Sequence, residues 1–178
     1  RQRQMCIRDS GLVAGLLGMR PDDERIPDSF EIARKMGLSY SFGIANLTSA
    51  HPNSVVLEVK GKSGRTLEVQ ACSLGGGRIM INRLDGLDVN CSCEIPTLIV
   101  HNLDQPGHVA EVTSMLAHKS VNIANMSLYR DKRGGSAVMV VEMDQPLPKE
   151  SLEWLEHLEG IVKVTYINVT EGEEDDVL

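Results

Sequence analysis

The apolar positions in the first half of the chain change period near residue 40. Before that point "GLVAGLLGM" is apolar and broken by glycines, the pattern of a short buried helix that Pro21 with Asp22 and Asp23 ends. "DSFEIARKMG" is a clearer helix. Asp28 and Glu31 have capping-box spacing, Gly37 supplies the stop, and Phe30, Ala33 and Met36 share a face. Beyond it the alternation is that of strands: Tyr40, Phe42 and Ile44 in "YSFGI", Val55, Leu57 and Val59 in "SVVLEVK", and Leu67, Val69 and Ala71 in "RTLEVQA". A fourth strand, "RIMINRL", follows three glycines, and "GKSG" joins the second and third as an antiparallel hairpin. Together these elements predict a small mixed α/β domain over residues 11–90.

"DGLDVNCSCEIP" carries no clear period and Pro96 closes it, which places a domain boundary near residues 86 to 95. From there the pattern is regular. "TLIVHN" is a strand, and Val109, Val112, Leu116 and Lys119 mark a helix. "VNIANMSLYR" alternates Ala124, Met126 and Leu128, then "KRGG" turns the chain and "SAVMVVEMD" is a strand. "PKESLEWLEHLEG" is a helix with Leu152, Leu155 and Leu158 inward, and "IVKVTYINV" is the last strand. The order βαββαβ over residues 96–170 is the ferredoxin-like arrangement, so the fold class is α+β: helices on one face of a four-stranded antiparallel sheet, whose other face is covered or solvated. The basic stretch 1–10 matches nothing that follows and reads as a non-native leader, and the acidic stretch 171–178 as a disordered tail.

Charge narrows the partners. A net charge of −7 disfavours nucleic acid and anionic membrane, both of which need a basic face, and a 3% aromatic share disfavours a base-stacking platform. A small molecule or a protein is the expected partner, in the cytoplasm, since neither a signal-peptide pattern nor a membrane-length apolar run is present. Cys6, Cys72, Cys91 and Cys93 have neither zinc-site nor disulfide-framework spacing. "CSC" sets two thiols on one face as a soft pair, too few donors for a metal, so no metal is expected on this chain.

Two stretches carry candidate chemistry. In "NLDQPGHVAEV", Pro106 suits a first helical turn and Gly107 permits close approach, so the helix presents free N–H groups to a carboxylate while Asp104 can receive an ammonium. The alternative is that Asp104 caps the helix and Pro-Gly only turns the chain. In "SLGGGRI", Gly75, Gly76 and Gly77 let the backbone curl around an anion with Ser73 and Arg78 to help; equally, they are a turn between strands. His51 in "AHPNS" is either a turn residue or an acid or base.

"IVHNLDQPGHVAEVTSMLAHKSVNIANMSLYR" resembles the start of an ACT domain, a βαββαβ amino-acid-sensing module that pairs side by side. That resemblance implies a homodimer in which Asn102, Asp104 and Gly107 contact an amino-acid effector from one subunit and Asn122 and Ile123 from its neighbour, with Asn125 a lesser addition. In the serine-sensing domain of D-3-phosphoglycerate dehydrogenase the positions matching Asn102 and Asp104 are typically His and Asn, which leaves ligand identity open.

"GLVAGLLGMRPDDERIPDSFEIARKMGLSYSF", "AHPNS" and "SLGGGRIMINRLDG" resemble the beta chain of bacterial iron-sulfur L-serine dehydratase, over nearly all of residues 11 to 170. Where that family carries Gly-His-Gly-Thr this chain has "RDS", so it reads as starting part-way into the first domain. The resemblance implies an allosteric serine-binding first domain, with His51, Asn53, Ser73, Gly75, Gly76, Gly77 and Arg78 as its ligand residues. It also implies a regulatory and assembly subunit of an enzyme converting L-serine to pyruvate and ammonia, whose 4Fe-4S cluster and catalytic residues lie on a separate alpha chain. The rivals are the C-terminal regulatory half of a D-3-phosphoglycerate dehydrogenase-like enzyme, and a stand-alone amino-acid-binding ACT module.

Overall fold

The computed structural model describes residues 7–47 and 50–168. The chain falls into two compact units, Arg1–Asn46 and Leu47–Leu178. The first holds helix α1 (Ile7–Leu16), a 3-10 turn (Ile26–Asp28) and helix α2 (Ser29–Lys35). Helix α1 begins inside the basic stretch set aside from the fold: Asp9 and Ser10 are buried, and Ser29 Oγ donates to the Ser10 carbonyl at 3.0 Å.

Several local expectations need correction here. Asp28 makes no side-chain cap, and Glu31 pairs instead with Lys35 one turn on at 2.8 Å. Ala33 is buried but Met36 is exposed. "YSFGI" forms no strand, because no neighbour supplies a ladder; Tyr40 and Phe42 stack with Phe30 in a three-ring cluster, and Ile44 is 91% exposed.

The second unit contains two sheets. β1 (Ser54–Lys60), β2 (Thr66–Gly75), β3 (Arg78–Leu84) and β4 (Leu87–Cys91) form an antiparallel meander in chain order. β5 (Thr97–Leu103), helix α3 (His108–His118), β6 (Ile123–Arg130), β7 (Ser136–Met143), helix α4 (Lys149–Glu156) and β8 (Ile161–Ile167) complete βαββαβ, with sheet order β6-β7-β5-β8. The helices follow from their stripes: Val112, Met115 and Leu116 of α3 and Leu155 of α4 pack on Leu98, Val100, Met139 and Val141, with Leu152 and Leu158 at the margin. Val109 falls outside that stripe and is exposed, and Lys119 is the residue that ends the helix.

The residues of β5 and β7 between those positions point the other way. Ile99, Val138 and Val140 share a core with Ile81, Leu84, Val89, Cys91 and Cys93 of the first sheet, flanked by Leu67, Val69 and Ala71. The face of the βαββαβ sheet opposite its helices is therefore covered by β1–β4. This explains why "TLIVHN" and "SAVMVVEM" read as nearly continuous apolar runs: both faces are buried. Within the stretch read as the break, residues 86 to 95, β4 forms and joins the shared core.

Candidate functional site

The end of β5, the start of α3, the β6–β7 turn and the start of β8 meet at one corner. Asn102 pairs with Ala137 and with Ile161, Leu103 N–H donates to the Gly160 carbonyl at 2.9 Å, and Asp104 N–H to the Gly135 carbonyl at 2.9 Å. Strand alternation puts Asn102 with Leu98 and Val100 on the helix side. It is 4% exposed, its amide nitrogen donates to the Leu103 carbonyl at 2.6 Å, and its Oδ1 has no partner. Gly107, at φ 112°, is the N-cap of α3 and has no side chain to close the first-turn N–H groups. His108 follows, buried, with Nδ1 3.1 Å from Glu111 Oε2 and Nε2 unpartnered.

Asp104 is engaged away from the start of α3. Its Oδ2 accepts from Gly134 N–H at 2.9 Å and from Arg130 Nη1 at 3.1 Å, so it fastens the β6–β7 turn rather than capping α3, and its charge is already met. The Gly134 hydrogen bond, reinforced by Arg130, holds its carboxyl below the usual carboxylate range. Beside it, Asn102 Oδ1 is a buried acceptor without a partner. Sequence reasoning missed Arg130, His108 and Gly160 here; the only local signal was that Gly160 stops a helix.

Asn122 and Ile123 are not brought to this corner. Ile123 pairs with Met143, whose N–H donates to the Pro96 carbonyl, so it stands at the opposite end of β5, roughly 20 Å away at 3.3 Å per residue. Asn122 Nδ2 bonds Asp144 at 2.6 Å and Asn125 Nδ2 bonds Glu142 at 2.9 Å. A site using both sets needs a second copy of the chain.

The first-sheet candidates do converge. Ser73 N–H donates to the Asn53 carbonyl at 3.0 Å, and Asn53 N–H reaches His51 Nδ1 at 3.2 Å. Gly75, Gly76 and Gly77 have φ of 86°, 62° and 79°, and Arg78 pairs with Gly75 across the hairpin. With φ positive at both central residues, Gly76 and Gly77 make the hairpin turn that matches strand twist. This accounts for the glycines; the whole group, from His51 to Arg78, lies on an exposed hairpin end.

Where the two sheets meet, Asp85 at the β3–β4 turn accepts from Lys163 Nζ of β8 at 2.5 Å and lies 3.7 Å from His101 Nε2 of β5, too far for a hydrogen bond. Burial drives the His101 imidazole below its usual value; Asp85 opposes this and Lys163 and Arg65 add to it. Asp85 is raised by burial, but the Lys163 and Glu68 hydrogen bonds outweigh that and leave it lowered. Because His101 is depressed in the fold, the unfolded chain binds its proton first as pH falls. Stability from this residue is therefore full above about pH 6.5 and is lost as pH falls toward the folded pKa. Thermal melts should show a decline below about pH 6.5 that His101→Gln flattens; a parallel decline in the variant assigns the acid sensitivity elsewhere.

Among the described residues, no three His, Cys, Asp or Glu side chains gather as a metal site. An iron-sulfur cluster needs several converging thiolates, and the described set does not fit one: Cys91 and Cys93 are paired in the shared core, which does not include Cys72.

Residues 96–159 match the ACT domain family model. The chain is 33% identical over 159 residues to the "Probable L-serine dehydratase, beta chain" of Bacillus subtilis (strain 168), which covers 89% of this chain and 72% of that protein. It is 32% identical over 162 residues to the L-serine dehydratase beta chain of Peptoniphilus asaccharolyticus, covering 90% and 73%. Its likeness to the D-3-phosphoglycerate dehydrogenase of Methanocaldococcus jannaschii is 31% over 90 residues, 51% of this chain and 17% of that enzyme. The likeness to beta chains covers 89% and 90% of this chain, against 51% for that dehydrogenase, and this decides between these relatives: the chain belongs to the family of L-serine dehydratase beta chains.

Proposed function

We propose that this chain is the regulatory and assembly subunit of an L-serine dehydratase, a lyase that converts L-serine to pyruvate and ammonia only when an alpha chain is present. The supporting observation is the reach of the likeness to beta chains, about nine-tenths of the sequence. Loss of the serine hydroxyl calls for a Lewis acid, which in this reading is a 4Fe-4S cluster on the alpha chain. This chain's own residues bind and position. The first-turn N–H groups of α3 after Gly107 suit the carboxylate of L-serine or a related amino acid, and Asn102 Oδ1 suits its ammonium. Asp104 holds the turn beside them. Asn122 and Ile123 complete the site from a second copy, which makes the effector-bound form a homodimer. The hairpin end with His51, Asn53, Ser73, Gly75, Gly76, Gly77 and Arg78 is a second effector surface or a contact for the alpha chain.

Co-expression with a candidate alpha chain tests the subunit reading. The expected result is co-purification and pyruvate formation from L-serine by the pair, with neither chain active alone. Failure to associate rejects it; turnover by this chain unaided also rejects it.

A further inference from the structure

Cys91 ends β4 and Cys93 stands in the connector to β5, with their Sγ atoms 3.1 Å apart. Residues two apart on a regular strand share a face but stand about 6.6 Å apart along it. Here the gap closes because Cys93 takes a left-handed backbone, φ 54°, which a residue carrying Cβ adopts only against a steric penalty. Both residues are buried, at 1% and 6% exposure, in the core shared by the two sheets. Their cover is thin: Ser92 is half-buried, and Glu94 and Ile95 are exposed in a connector without regular structure. Local opening of that connector admits a small reagent, and excludes bulky disulfides while it is closed.

We propose that Cys91 and Cys93 are a redox modification site that closes to a disulfide on reaction with a small hydroperoxide. The hydrogen bond from the Cys93 thiol lowers the Cys91 pKa, while that same bond and burial raise Cys93, so Cys91 is the attacking sulfur. Its thiolate attacks one peroxide oxygen and the O–O bond breaks. The departing oxygen takes the proton that Cys91 gave up and leaves as alcohol, or as water from hydrogen peroxide. Cys91 is then a sulfenic acid. Cys93 sulfur attacks Cys91 Sγ, the S–O bond breaks, and the hydroxyl leaves with the Cys93 proton as water. Two thiols are oxidised and one hydroperoxide is reduced. The sulfurs need to move by only about 1 Å to reach the disulfide length of about 2.05 Å. Covalent closure then fixes the connector that joins the two sheets.

The test uses the full folded chain, treated with hydrogen peroxide, quenched, digested and mapped by mass. The expected result is a peptide holding both residues that has lost two hydrogens and regains them with dithiothreitol, while Cys93→Ser instead gives a sulfenic acid at Cys91 that dimedone traps. The proposal is overturned if that peptide stays reduced while Cys6 or Cys72 is oxidised. It is equally overturned if the cross-link forms only in urea-unfolded protein, or if Cys91 passes to the sulfinic acid without a disulfide. None of these readouts depends on serine turnover.

Discussion

Val138→Asp is expected to destabilise the folded chain by at least about 4 kcal/mol, enough to leave an ordinary domain barely folded at room temperature. Val138 is fully buried in β7, beside Ile99 and Val140 on the face turned away from α3 and α4. In a solitary βαββαβ sheet that face meets water and a carboxylate there is harmless. Here Ile81, Leu84, Val89 and the two cysteines of the first sheet lie over it, so the new charge loses its water beside a cross-strand neighbour, His101, whose charged form burial disfavours. Two comparisons isolate the cause. Val138→Ala removes about two methylene equivalents at ~0.8 kcal/mol each and keeps the seam dry. Val162→Asp puts the same charge on β8 at a side chain 71% exposed, where a surface change stays within about 0.5 kcal/mol. Urea unfolding followed by circular dichroism measures all three. If Val138→Asp behaves like Val162→Asp, the first sheet does not cover the ACT sheet in solution.

The seam also marks how far sequence reading reached. Strands β1 to β3 and β5 to β8 and helices α3 and α4 were legible because each buries a face whose period is written locally. β4 was not: Leu87, Val89 and Cys91 do alternate, but the strand is five residues long and its other positions are Asp88 and Asn90, poor strand formers. In β6 the register shift between Ile123 and Asn125 takes Ala124 out of the stripe read as Ala124, Met126 and Leu128; Met126 packs on the helix-side core, Leu128 is exposed, and Tyr129 joins the inter-sheet core. Tyr40 and Phe42 had a strand's alternation with no strand to pair with. The corner was legible as a place and not as a mechanism. "NLDQPGHV" announces a turn and a helix start, but the partners of Asp104 lie 26 and 30 residues onward and Gly160 approaches from the far end of the domain. Proximity of that kind is created by sheet order, which no local period encodes.

Gly160→Ala should damage this corner more than any substitution of an exposed residue there. Gly160 follows α4 at φ 80°, where a Cβ brings strain of about 1–3 kcal/mol. The added carbon would also stand 2.6 Å from His108 Nε2 and 2.7 Å from its Cε1. The ring has little room to yield: His108 is buried and tied by Nδ1 to Glu111 at the first turn of α3. Overpacking of this sort costs about 1–3 kcal/mol more. Movement of His108 tilts the helix start, and with it the N–H groups assigned to the effector carboxylate. Gly160 also accepts Leu103 N–H, so the strain passes to Asn102 next in the chain. The expected outcome is a loss of about 2–4 kcal/mol in urea unfolding together with loss of calorimetric heat on titrating L-serine. Asp104→Ala frees the β6–β7 turn and should abolish the same heat with less loss of stability, since it removes an ion pair to the exposed Arg130 and one turn hydrogen bond without adding strain. Full retention of heat in both variants would place effector binding away from the β5–α3 corner, with the exposed hairpin end of β2 and β3 as the surface then left to titrate.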